Sequence, residues 1–412
     1  LCWQLLWLIF GRQSFLTGHT GRHHLKNSME SRTITSEPTY KAARKIAPAI
    51  ERHFKHFHSL AADNPAEVGL TPDIQTIETL IDLAFWASLR REEGYSPKFT
   101  LAFLPPESAG QPLLFGHKIK LAPNILTKFA SAVQQPGIHL GVCLEDGELY
   151  VWGTTLAIPA YCFVLEVIEP GLLVIKHRRV DGFGKFLNIA ILKGDEIKVV
   201  DENGSTLSDC PNILTSMLDF TLPSSWNDPV NVLVQLAASM QAHKRGGILL
   251  VVPSGSDDWL ESIIQPISYP VSPAFSGLTD LMIHEGIEKY HTPWQEKLRR
   301  AVDTIGGLTS IDGATVINDK HELLAFGAKI GRSSKSTRVE EIVVTEPVVG
   351  CSTRVIHPAQ NGGTRHLSAA QFVFDQKDAI ALVASQDGRF TVFAWSPVVN
   401  MVHAHQIDIL LL

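Results

Sequence analysis

A surplus of basic residues is the first thing this chain lacks: 36 Lys+Arg stand against 42 Asp+Glu, a formal net charge of −6. A surface built to neutralise a phosphate backbone needs the opposite balance, so no nucleic acid partner is expected. Cysteine is sparse. The five residues Cys2, Cys143, Cys162, Cys210 and Cys351 are widely separated, with no CxxC pair. That argues against a disulfide frame or a thiolate zinc site and fits reduced thiols in a cytosol, with Cys143 and Cys162 as small core residues. No apolar run reaches the ~20 residues of a bilayer-spanning helix. The run LCWQLLWLIF covers only residues 1–10 and meets Gly11 and Arg12 without a signal-peptide cleavage pattern. The sequence opens on Leu1, and Met29 begins the polar stretch MESRTITSEPTYK. The expectation is therefore a mis-assigned start and a disordered segment over residues 1–39, no membrane partner, and a cytoplasmic location. GAKIGRSSKS does not have Walker A spacing, so phosphate handling of the P-loop kind is excluded. Gly-x-Ser-x-Gly is missing, and no Ser/His/Asp set can be assembled. There is no internal repeat and no low-complexity segment.

What is present is ordinary globular sequence, 45% hydrophobic and 19% charged, long enough at 412 residues for two or three cores. Residues 40–61 carry a helical pattern. Thr71 as N-cap, Pro72 in the first turn and Asp73 as an early acid precede a second helix with Ile74, Ile77, Leu80, Ile81 and Ala84 on its apolar face. From Phe99 to about residue 205 short apolar runs alternate with turn residues (FTLAFLP, GIHLGVCL, ELYVWG, CFVLEVIEP, GLLVIKH, NIAILKGDEIKVV), with Asp146/Gly147 and Asn203/Gly204 as turn signals. This predicts a mainly β region. TLPSSWNDP at 221–229 reads as a boundary. Beyond it, NVLVQLAASMQAHKRG predicts a helix capped at Gly246 and feeding the buried strand GILLVVP, the opening of an α/β layer. A helix near 294–304, the strand pair DGATVI and ELLAFGAKI around Asn318–Lys320, a helix from Thr364, and a hairpin of AIALVAS and RFTVFAW around Asp387/Gly388 complete the reading.

Two constellations could carry chemistry. Asp312, Gly313 and Ala314 stand where a loop enters a strand. An aspartate there can hold a divalent cation or accept from a hydroxyl, while Gly and Ala let a base or sugar approach the backbone. Asp-Gly is equally a common turn. GGTRHLSAAQF, Gly362 to Phe372, puts a flexible loop onto a helix N-terminus, where free N–H groups and the helix dipole favour a phosphate. Arg365 adds a forked cation and His366 a donor; a capped helix with both side chains solvated is the plainer alternative. Other features are weaker. His53, His56 and His58 have poor spacing for zinc and no adjoining acid. GFGK at 182–185 reads as a hairpin tip, and His177–Arg179 as a solvated basic edge.

In order and context, KRGGILLVVP, DGATVI, GGTRHLSAA and IALVASQDG resemble the diadenylate cyclase domain, whose marks are an apolar strand after a helix, a DGA motif and a GTRHR motif. The resemblance covers roughly residues 230–400. The whole layout, with its variable N-terminal half and LLAFGAKI after DGA, is similar to the DACNV subgroup of sensor domains. It implies an α/β (α+β) fold: a mixed central sheet flanked by helices in a cyclase-like domain at 225–412, behind an N-terminal helical and mainly β DACNV-type region at 40–220. It also implies ATP between the DGA strand and the GTRH loop, with Mg2+ or Mn2+. In active cyclases two domains meet face to face and each ATP 3′-hydroxyl attacks the other's α-phosphate, releasing pyrophosphate. A nucleotide ligand and a homo-oligomer are the implied partners. Carried over, Asp312 would bind metal or orient the hydroxyl and be catalytic if the enzyme is active. Gly313, Ala314, Gly363, Thr364, Arg365, His366 and Ser368 would line the nucleotide and its phosphates, with Ser385 and Gln386 at the end of the last core strand.

Two departures weigh on the reaction. Leu367 replaces the second arginine of GTRHR, removing a forked, permanently charged phosphate contact. Gln386 stands after Ser385 where cyclases tend to carry a glutamate, which keeps hydrogen bonding and loses metal affinity. Three functions follow, in order of preference: a sensor of ATP or a related nucleotide, a cyclic dinucleotide included; an active diadenylate cyclase tolerating Leu367; and a scaffold that keeps the fold without a ligand.

Overall fold

The computed structural model describes residues 38–60, 69–178, 186–201, 229–283 and 292–412. The start and disordered segment expected at 1–39, up to residue 37, lies outside the described residues, as do Cys2, Cys210, the tip at 182–185, the Asn203/Gly204 turn and the boundary at 221–228. Helix α1 (Lys41–Leu60) buries Ala43, Ile46, Ala47, Ile50, Phe54 and Phe57, a three-and-four spacing that aligns them on one face. Helix α2 (Ile74–Ser88) is capped by Asp73, whose carboxylate accepts from the Thr76 N–H at 2.7 Å. The cap thus falls two residues after Thr71, and Ile74 at the helix start is exposed rather than part of the apolar face.

The β region forms one mixed sheet. Its strands are β1 (Phe99–Phe103), β2 (Leu113–Lys120), β3 (His139–Glu145), β4 (Glu148–Thr155), β5 (Phe163–Glu169), β6 (Leu172–Arg178), β7 (Phe186–Lys193) and β8 (Glu196–Val199), in the order β2-β4-β3-β1-β5-β6-β7-β8. Only β1 and β3 run parallel among these pairs. Asp146 and Gly147, φ +50° and +78°, make the tight β3–β4 turn that their sequence predicts. Helices α1, α2 and α3 (Pro123–Phe129) cover one face, burying Leu101, Leu140, Leu165 and Leu173. The other face holds Trp152, Cys143, Cys162 and Val164. Burial pushes the thiols of Cys143 and Cys162 up, as expected of inert core cysteines.

A second mixed sheet follows helix α4 (Pro229–Ala242). Its strands are β9 (Gly247–Val252), β10 (Tyr269–Phe275), β11 (Ala314–Asn318), β12 (Leu323–Ala328), β13 (Ile342–Thr345), β14 (Arg354–Ile356), β15 (Ile380–Ala384), β16 (Phe390–Ser396) and β17 (Met401–Gln406), in the order β10-β12-β11-β9-β15-β16-β17-β13-β14. Strand β9 is buried along its whole length and lies between parallel β11 and antiparallel β15. Helix α4 and α6 (Thr292–Leu308), with α5 (Gly277–Ile283), pack on Leu249, Val251, Ile317 and Leu382. Helix α8 (Thr364–Asp375), preceded by the short α7 (Pro358–Asn361), covers Leu250, Val316, Val383 and Phe393 on the opposite face with Ala369, Ala370, Phe372 and Val373. The result is a three-layer arrangement. One expectation is corrected: α4 ends at Ala242, not at Gly246. The imidazole of His243 accepts from the Arg245 N–H at 3.1 Å and Lys244 takes φ +53°, so the chain turns before Gly246, which instead launches β9 at φ +73°.

The two sheets share one compact unit. Past β8, Val200 bridges to Val348, and the Asp201 N–H donates to the Pro347 carbonyl at 3.0 Å. Asn188 on β7 donates to the carbonyls of Ile409 and Leu412, both at 2.9 Å, tying the closing helix α9 (Asp408–Leu411) to the first sheet. Lys198 pairs with Glu346 at 2.5 Å across the same junction.

Candidate functional site

Strand register brings both motifs to one end of the second sheet. Ala314 of the DGA motif pairs with Ile248, and Gly247 pairs with Ala384. Asp312–Gly313, Arg245–Gly246 and Ser385–Gln386 therefore leave the sheet side by side. Because β11 and β15 flank β9, the two outer segments lie about 10 Å apart at the usual strand spacing. Asp312 is exposed, Gly313 half-buried and Ala314 buried. Gly313 has φ +103°, and a Cβ there would stand 2.5 Å from the carbonyl carbon of Gly327, so only glycine fits. Gly327 is likewise in the left-handed region at φ +63°, with Asp312 O and the ring of Tyr269 as its neighbours.

Helix α8 runs antiparallel to β15, which sets its N-terminus at this end. Gly363 occupies the N-cap in an extended conformation and offers no side chain, and its carbonyl accepts from the N–H groups of His366 and Leu367 at 3.1 and 3.3 Å. The N–H groups of Thr364 and Arg365, at the very start of the helix, have no acceptor within it. Gly363 and Thr364 are exposed, and Arg365, Leu367 and Ser368 half-buried. The Arg365 guanidinium reaches over β9: a Cβ on Gly246 would meet Nη1 at 3.1 Å and Ala384 O at 3.3 Å.

His366 sits elsewhere. It is buried, its Nε2 is 3.2 Å from Thr391 Oγ1, and its ring stands edge-on to Phe393. Burial holds its pKa down, with Arg389 and Arg365 acting in the same sense and Asp387 opposing them. A Cβ on Gly362 would stand 2.5 Å from Nδ1, so this histidine props the loop from beneath. Ser385 donates its hydroxyl to Asp387, which lowers the pKa of that carboxyl, and Asp387 pairs with Arg389 at 3.4 Å. Gln386 Nε2 donates to Arg245 O at 3.3 Å.

For a divalent cation, Asp312 is the one carboxylate that the two motifs place at this end of the sheet. No group of three or more His, Cys, Asp or Glu among the described residues could hold a metal by itself. A lone carboxylate is a partial ligand set, which an ion that keeps waters would have to complete with substrate phosphates. His53, from the histidine cluster in α1, packs in the first sheet's core beside Phe57 and His177, with ring centroids 4.7 and 5.2 Å away.

A cleft of about 760 Å³ lies between the two sheets, lined by Leu172, Ile191 and Lys198 on one side and Gln241, Asp408 and Ile409 on the other. It does not open onto Asp312 or Arg365; it touches the motif end only through the hairpin Ser385–Arg389 and Lys244. Burial raises the carboxyl pKa of Asp408, with Glu346 adding and Lys198 opposing. Lys198, Asp408, Ile409 and Tyr269 carried no signal for a site in the sequence, whereas Gly246 and Gly327 stand within KRGGILLVVP and LLAFGAKI and were the nearest signal to it.

The architecture is thus one compact unit in which a mixed β sheet with a helical layer adjoins a three-layer α/β arrangement, whose two motifs meet at one sheet end. The family described as Probable sensor domain DACNV matches residues 66–156, which span α2 through β4 of the first sheet. No curated protein matches the chain. A solved structure, the hypothetical membrane spanning protein from Bacillus cereus, is 15% identical, with a TM-score of 0.27, over 49% of this chain and 72% of its own. Among the described residues no helix is long and apolar enough to cross a membrane.

Proposed function

We propose that the α/β part binds a nucleotide, ATP or a related nucleotide such as a cyclic dinucleotide, and that the chain works as a nucleotide sensor with the DACNV-like segment as its partner. The observation that carries this reading is the register Ala314–Ile248 and Gly247–Ala384, which sets Asp312 beside the Arg245–Gly246 turn that the Arg365 guanidinium contacts. The N–H groups of Thr364 and Arg365 at the start of α8 and the Arg365 fork supply anion contacts, and the side-chain-free Gly313 lets a flat or ribose surface approach. Asp312 would hold a divalent cation together with the phosphates, and such an ion, when bound, neutralises phosphate charge. Binding is favoured over cyclisation because phosphoryl transfer depends on charge set around the reacting phosphate. Leu367 and Gln386 are uncharged where the cyclase pattern has charge.

The test is to titrate the purified chain with ATP and Mg2+ or Mn2+ and to assay the same mixture for cyclic di-AMP by mass spectrometry. Saturable binding weakened by Arg365→Ala, without product, is expected. Product that disappears in Asp312→Asn would make the chain a diadenylate cyclase, and absence of binding would leave a scaffold.

A further inference from the structure

Beside the DGA loop, and outside both motifs, stands an aromatic pair contributed by two other strands. Tyr269 on β10 is the direct cross-strand partner of Phe326 on β12. Their rings stack at 4.9 Å with only 11° between planes. Tyr269 nevertheless remains 51% exposed, which a ring covered on one face retains only if its other face is open. The ring borders the DGA loop closely: one point, the place a Cβ would take on Gly327, is 2.8 Å from Tyr269 Cδ2 and 3.4 Å from Asp312 O. Between ring and loop the chain carries glycines, Gly313 and Gly327, so no side chain from either rises between the phenol and the backbone of Asp312. Phe326 fixes the plane of the phenol from behind, so a flat partner meets a surface already in place.

We propose that Tyr269, backed by Phe326, is the stacking platform for a purine base of the nucleotide held at the DGA–GTRH end of the sheet, and that it selects base-bearing ligands over bare polyphosphate. This rests on the nucleotide reading above. The division of labour follows from position. Arg365 and the α8 N-terminus, on the β15 side of β9, take the phosphates. Tyr269 stands on the third strand from β9 on the opposite side, with β11 and β12 between, so a ligand that meets the guanidinium beside Gly246 must extend over β11 and β12 to reach the ring. A nucleoside with its phosphates spans that width; an isolated phosphate does not. Aromatic stacking tolerates any base by its π face, and a bicyclic purine covers more of the phenol than a pyrimidine. The plainer role of the pair, strengthening the β10–β12 edge, concerns stability and makes no demand on ligand affinity.

The experiment is calorimetric titration of the full chain, with Mg2+, against ATP, UTP and inorganic tripolyphosphate, for wild type, Tyr269→Ala, Tyr269→Leu and Tyr269→Trp, each checked for its unfolding midpoint. The expected result is a wild type that prefers ATP to UTP and to tripolyphosphate. Tyr269→Ala and Tyr269→Leu should lose roughly ten- to hundredfold in ATP affinity, leave tripolyphosphate unchanged, and let the preference collapse. Tyr269→Trp should retain it. ATP affinity unchanged in Tyr269→Ala and Tyr269→Leu would overturn the platform and leave nucleotide binding standing. Equal losses for ATP and tripolyphosphate would also overturn it, reducing the ring to a prop for the loop. A wild type that binds neither ligand removes the nucleotide reading and the platform together.

Discussion

Arg365 and Gly246 stand in close contact: the guanidinium crowds the place a side chain on the glycine would take, with Nη1 3.1 Å from the Cβ position. Gly246 is thereby fixed twice, by this contact and by φ +73°. The guanidinium of the helix that carries the GTRH loop therefore lies against the turn that launches the central strand.

Gly246→Ala tests that link. The left-handed conformation costs a non-glycine residue about 1–2 kcal/mol, and the new methyl must also shift the guanidinium slightly. We expect a lowered urea midpoint and, separately, weaker ATP binding. In the double variant Gly246→Ala/Arg365→Ala, the binding losses should fall short of their sum, because both changes act on the same group. Additive losses would show that the two residues act independently.

Asn188→Ala addresses the junction of the two sheets. The buried amide donates to Ile409 O and Leu412 O, both at 2.9 Å. Removing it strands two carbonyls, on the order of 2 kcal/mol of stability. Amide hydrogen exchange should accelerate at residues 408–412 before it does in β9. Unchanged protection there would mean that packing alone holds α9.

Acid should destabilise the first sheet through His139. This side chain is buried, its Nδ1 lacks a hydrogen-bond partner among the described residues, and burial, aided by the Lys176 charge, lowers its pKa to about 4 from 6.5. The unfolded chain binds a proton below pH 6.5 that the folded chain refuses until about pH 4. Stability is therefore complete above 6.5 and is lost as pH falls between those values, by about 3 kcal/mol in all. His139→Phe should lack this component. Subtracting its stability–pH curve from that of wild type isolates the histidine, and a flat difference from pH 7 to about 4 would remove it as the cause.

How much of this was legible in the sequence depends on whether residue type and environment agree. The apolar run of β9 is buried throughout, and DGA and Thr364 open a strand and a helix as expected. The missed elements are those where type and environment part. Strand β17 alternates Val402 and Ala404 with His403 and His405, all buried, so its histidines hide the core pattern. Strand β2 is exposed almost throughout and carries no alternation, and β10 contains Pro270 and Pro273 at a sheet edge, where proline is tolerated. At the site, GTRH suggested equal roles for its residues, whereas burial separates His366, beneath the loop, from Arg365 above it. Tyr269 comes from a strand that shares nothing with either motif but a neighbouring glycine.

Leu367→Arg asks whether the uncharged position is what keeps the site from chemistry. Leu367 follows His366 in the first turn of α8, where it is half-buried, so an arginine has room to extend toward solvent. The added charge stands at the N-terminal end of a helix, where the dipole disfavours a cation by a few tenths of a kcal/mol up to about 1 kcal/mol. A small loss of stability without ligand is therefore expected. With polyphosphate bound the sign reverses, because a forked, charge-assisted contact outweighs the exposed dipole term. ATP affinity should rise several-fold, and the gain should shrink with added salt as exposed charge is screened. If affinity falls, or rises without salt dependence, then phosphates do not lie over this turn. Cyclic di-AMP formed by Leu367→Arg but not by wild type would identify the lost arginine as the element that separates a sensor from a cyclase on this fold.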